Sequence, residues 1–194
     1  MNRRAAGSRI LAAALIALVP VTGRAAEGEI APVNYSPMKW VDLQPGGWDV
    51  RSVYRKFDLA SIQDLEDRDS RALKVMRELT AALDKAPIDP ELDGRPVKLH
   101  GFVVVLEGTP EAMREFLLVP WQGGCIHTPP PATNQVVRVI AKEPVRGIDL
   151  NYPIYVFGKL AARSSVTRVA KAGYTLSLDR VEPYPWQTMR RADW

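Results

Sequence analysis

The chain has 194 residues, 46% of them hydrophobic and 25% charged, enough for one folded domain with an N-terminal extension. Its 26 Lys and Arg outnumber 22 Asp and Glu, for a formal charge of +4. Four of the basic residues, Arg3, Arg4, Arg9 and Arg24, lie in the first 25 positions; without them the charges balance, leaving no basic footprint of the kind nucleic-acid binding needs.

Those first residues read as a secretory signal peptide spanning 1–25. Arg3, Arg4 and Arg9 precede the apolar run from Ile10 to Val19; Pro20 breaks it, and Gly23 and Ala25 supply small residues before a cleavage point. The run is too short to span a bilayer, so the mature chain is expected in the periplasm or secreted, without stable membrane insertion. Residues 26–36 read as a flexible leader. Residues 37–90 read as a tryptophan-containing loop followed by a packing helix. Trp40 and Trp48 are expected to pin that loop by burying ring area. Asp69 or Ser70 caps the helix, Leu73, Met76, Leu79 and Leu83 share one face, and Pro87 ends it.

From 91 to 186 the pattern is that of strands. Five β-prone stretches, 95–107, 115–121, 134–142, 152–166 and 173–184, are separated by short turns. The last alternates through Tyr174, Leu176, Leu178 and Val181. The expected fold is mainly β with an N-terminal helix (α+β), the strands forming a small five-stranded antiparallel OB-like barrel. Gly101 and Gly158 are expected where strands bend to close it.

The stretch "PWQGGCIHTPPP", Pro120 to Pro131, carries the chemistry. It holds Cys125, the single cysteine of an exported chain, and His127, one of two histidines. A lone thiol in an oxidising compartment persists if it is buried, metal-bound or reactive. Residues i and i+2 of an extended chain point the same way, so the sulfur and the imidazole can converge. Gly123 and Gly124 allow a tight turn before them, and Pro129, Pro130 and Pro131 stiffen the chain after them. Asn134 and Gln135 are placed to return hydrogen bonds to the loop.

Three readings follow. Thiolate and imidazole are preferred donors for zinc, and thiolate suits cuprous copper; His100 is then the leading third ligand, with Glu107, Glu115 or Asp149 as substitutes. Alternatively, His127 activates Cys125 as a nucleophile, with Gly-Gly amides stabilising an oxyanion. Alternatively, Cys125 is a small buried hydrophobe and His127 a satisfied histidine. Read from its strand alone, His100 is expected at a solvent-facing or rim position. Trp121 is read as a lid or core filler.

The stretches "LDGRPVKLHGFVVVLE" and "EFLLVPWQGGCIHTPPPATNQVV" resemble an uncharacterised family of exported bacterial proteins, the domain of unknown function 3299. The likeness runs from Lys39 to about Glu182, and its Cys-Ile-His-x-Pro-Pro-Pro block is specific. Trp121, Gly124 and Thr133 depart from commoner choices and touch no candidate ligand. The resemblance implies secretion and, because some members are encoded beside export-type transporter permeases in zinc-responsive clusters, a role in zinc handling. The expectation is a periplasmic accessory protein that binds a transition metal, zinc favoured, and is linked to an envelope transporter. The alternatives are a thiol-dependent enzyme using Cys125 with His127, and a non-catalytic partner-binding module; enzyme status stays open, leaning against.

Overall fold

A strand whose apolar residues alternate buries one face, and five such strands bury most by closing on themselves. The computed structural model of the chain describes residues 32–185 apart from 63, 67 and 124–130, so the proposed signal peptide falls outside the described residues. In chain order the elements are β1 (Ser36–Pro37), a 3-10 turn (Trp40–Leu43), α1 (Val50–Tyr54), a 3-10 turn (Ala60–Ile62), α2 (Ser70–Leu83) and a 3-10 turn (Pro90–Leu92). Then come β2 (Pro96–Thr109), β3 (Ala112–Val119), a 3-10 turn (Thr133–Gln135), β4 (Val137–Val145), β5 (Ile154–Ala161), β6 (Ser165–Val166), β7 (Lys171–Ala172) and β8 (Tyr174–Pro183).

The large sheet runs β1-β2-β3-β4-β8-β5, and β5 pairs back onto β2, closing a five-stranded barrel. The barrel is mixed, which corrects the all-antiparallel expectation: β4 and β8 run parallel, with Val137 opposite Tyr174 and Ala141 opposite Leu178. Parallel neighbours need a crossover between them, and β5 supplies it by returning along the far edge of β8. The strand β2 is long enough to serve two partners. Residues Pro96 to Gly101 pair with β5, and Phe102 onward pairs with β3.

Gly101 sits at that change of partner. A β-carbon there would lie 2.7 Å from the Val119 carbonyl oxygen and 2.8 Å from the Trp40 ring, so the barrel closes only over a residue without one. Gly158 flanks a bulge opposite Leu178 and Arg180, which leaves Asp179 without a ladder partner. The bulge explains the three-residue step from Leu178 to Val181 in the apolar pattern: one extra residue resets the alternation, so both side chains join the core.

The interior is filled from β2 by Val97, Leu99 and Val103, from β3 by Phe116 and Leu118, and from β4 by Val137 and Val139. Trp40, 2% exposed, enters from the first 3-10 turn as the largest of them. Each such side chain contributes roughly 1.5–3 kcal/mol of burial. A second, smaller core holds Val53, Leu79, Leu83, Ala86 and Ala132, with Trp48, Tyr54, Phe57 and Met76 packed against it. Thus α1 and α2 form a cap. Asp69 caps α2 by accepting from the Arg71 amide, as expected, but Leu73 is 44% exposed. The buried stripe starts instead at Ala72, which with Met76, Leu79 and Leu83 keeps the spacing that one helix face requires.

Candidate functional site

The loop that begins after β3 is held by its C-terminal leg. Pro131 through Val136 are all buried, and Ala132 packs into the helical cap. Thr133 Oγ1 donates to the Asp84 carbonyl at 3.2 Å, and Asn134 Nδ2 donates to the Pro87 carbonyl at 2.9 Å. Gln135 Nε2 donates to the Trp40 carbonyl at 2.7 Å and to the Asn134 carbonyl at 3.3 Å. Carbonyls at the end of a helix lack helical partners, and here the loop supplies them, helped by Lys171 Nζ at 2.8 Å from the Asp84 oxygen.

This arrangement corrects one expectation. Asn134 and Gln135 were expected in the third strand; they form a 3-10 turn and bond to the cap and to the Trp40 turn. Short polar side chains that find fixed backbone acceptors compete with the ladder, so β4 starts only at Val137. From behind, the Gly173 amide donates to the Thr133 and Val136 carbonyls at 2.8 and 3.1 Å, where a β-carbon would come within 2.6 Å of the Thr133 oxygen. Next to it, the buried Tyr174 hydroxyl donates to the Leu43 carbonyl at 2.6 Å and accepts from the Asp89 amide at 2.7 Å. Burial pushes its phenol above the ordinary 10.0.

The N-terminal leg differs. Pro120 is buried, but Trp121 is 36% exposed and so is not a core filler. Gly123 follows with φ +74°, a left-handed conformation that side chains other than glycine rarely hold. Between the legs and the 40–51 segment lies a cleft of about 540 Å³. Pro120 and Trp121 line it from one leg and Gln135 from the other, and Trp40 and Val50 complete its apolar walls.

Cys125 and His127 lie within 124–130, outside the described residues, so their convergence stays an expectation. His100 is not a rim residue. It is buried on the outer face of β2, its ring stacked on Tyr184 at 4.6 Å and edge-on to Tyr155 at 5.9 Å.

Among the proposed substitutes, Glu115 is engaged by a two-pronged pair with Arg138, Nε at 2.9 Å and Nη2 at 2.8 Å, which raises the Arg138 pKa. It also lies four residues before Val119, about 13 Å back along the strand. Glu107 pairs with it there, on β2. Asp149 Oδ1 accepts from the Asn151 amide and side chain in a local turn. Among the described residues no group of three or more His, Cys, Asp and Glu side chains is gathered that could hold a metal. The anchors Thr133, Lys171 and Tyr174 escaped the sequence reading, because their acceptors are backbone atoms 49, 87 and 131 residues away.

Barrel and helical cap together define a closed OB-like domain, with Pro131 to Val136, between β3 and β4, buried against the cap. The chain belongs to the DUF3299 family, described as a protein of unknown function, which it matches over residues 40–183. Its structure is similar to the crystal structure of a DUF3299 family protein from Pseudomonas aeruginosa PAO1, at 30% identity and a TM-score of 0.59. That match covers 78% of this chain and 97% of the other. No curated protein matches the sequence.

Proposed function

We propose that this is a periplasmic accessory protein that binds zinc through Cys125 and His127 and works with an envelope transporter. The observation that carries the reading is the anchoring of the loop at its C-terminal leg, where three consecutive side chains are fixed on backbone carbonyls of the cap and the Trp40 turn. A loop fixed at one leg loses less entropy when its donors close on an ion, which favours binding there. The donor chemistry fits: thiolate and neutral imidazole suit zinc, and thiolate also suits cuprous copper.

Covalent geometry supports a compact donor set. Cys125 is two residues beyond Gly123, which keeps their Cα atoms within about 7 Å. His100, the other histidine of the chain, is kept as the third donor of this proposal for its imidazole chemistry. The test is the metal content of the native protein, purified without chelator, by mass spectrometry. About one zinc per chain is expected, lost in Cys125→Ser and in His127→Ala. A wild type free of metal, taking up none on dialysis against zinc, overturns the reading.

A further inference from the structure

We propose that the helical cap is a conformational latch: α1 and α2 open as one unit while the barrel stays closed, and the 131–136 leg is released with them. This goes beyond the metal reading and uses no residue of 124–130. The packing divides the molecule at this joint. Among the described residues the cap's core holds five buried side chains, Val53, Leu79, Leu83, Ala86 and Ala132, against eighteen in the barrel's. Burial free energy follows apolar area, so the smaller core opens at the lower cost.

The two ends of the cap are pinned at one point. The Tyr174 hydroxyl donates to the Leu43 carbonyl, ahead of α1, and accepts from the Asp89 amide, beyond α2. No strand of the sheet lies between those two residues among the described ones, so the segment they bracket opens without breaking a ladder bond. Three hydrogen bonds close it onto its neighbours. Thr133 Oγ1 and Lys171 Nζ both donate to the carbonyl of Asp84, the C-cap of α2, and Asn134 Nδ2 donates to the Pro87 carbonyl. Of the five core residues Ala132 alone comes from outside the bracketed segment. Opening therefore uncovers Ala132 and strips Thr133 and Asn134 of their acceptors, which removes what holds the leg in place. Lys171 is the separable part of the latch, since it acts from β7 and belongs neither to the cap nor to the leg.

The test is native-state hydrogen exchange of the purified protein, read by mass spectrometry of its peptides. The leg supplies its own reporters, because the Gln135 and Val136 amides donate to the Ala132 and Thr133 carbonyls within it. Amides of α2 are expected to exchange at least tenfold faster than those paired between β2 and β3, with Gln135 and Val136 exchanging at the rate of α2. Lys171→Met, which removes one charge-assisted hydrogen bond, should speed α2 and the leg together about tenfold and leave β2 and β3 unchanged. Arg146→Gln, elsewhere on the barrel, should alter none of them. A single rate shared by α2 and the barrel strands, or a Lys171→Met effect on α2 that spares Gln135 and Val136, overturns the proposal. Either result is independent of the zinc content.

Discussion

The two legs of the connection between β3 and β4 are built on opposite terms. The C-terminal leg is polar in sequence and wholly buried, with Thr133, Asn134 and Gln135 each donating to a fixed backbone oxygen. The N-terminal leg carries a large aromatic residue, Trp121, yet leaves it partly in solvent beside a glycine at positive φ. Residue type would assign the roles the other way, amides to the site and tryptophan to the core. What separates the two legs here is where each polar atom finds its partner.

The contrast breaks first at Gly173. Gly173→Ala drives a β-carbon into the Thr133 carbonyl and the Ile88 side chain, and should cost about 3 kcal/mol in urea unfolding. A loss under about 0.5 kcal/mol would mean the C-terminal leg is not held from behind. Tyr174→Phe removes the hydroxyl that bridges Leu43 and Asp89 and leaves the buried Leu43 carbonyl and the partly buried Asp89 amide without it; a loss of about 2 kcal/mol is expected by the same measurement.

The same phenol gives a pH signature. Its folded pKa is raised, so its stabilising share is complete below pH 10, the unfolded value, and disappears as pH rises through the folded value. Thermal melts should therefore fall above pH 10, less steeply in Tyr174→Phe than in wild type. Tyr54, also raised by burial, adds a residual slope. Equal slopes in the two proteins would contradict the assignment. The smallest effect belongs to the other leg: Trp121→Ala should change stability by no more than about 0.5 kcal/mol, and a loss above 2 kcal/mol would show that this leg is scaffold too.

Much of the barrel is legible in the sequence because burial on one face writes itself as alternation. Even the step from Leu178 to Val181 records the bulge at Asp179. The parallel pairing of β4 with β8 left no such trace, since strand direction depends on which strands meet. The helix expected between an Asp69 or Ser70 cap and Pro87 runs Ser70–Leu83, but its buried stripe was misjudged, because Ala72 is as apolar as packing there requires and Leu73 merely looks the better core residue. His100 was read from its own strand, and the aromatic rings that bury it come from Tyr155 and Tyr184, far along the chain. The site was legible as a motif and not as a set of anchors, since the carbonyls that accept from Thr133 and Asn134 belong to no side chain.

The most direct test of zinc binding is cobalt substitution of the mature protein, read by its absorption spectrum. Tetrahedral visible bands together with a thiolate-to-cobalt charge-transfer band are expected, the latter vanishing in Cys125→Ser and the visible bands weakening in His127→Ala. A spectrum of hexa-aquo cobalt, unchanged by either substitution, would contradict the account.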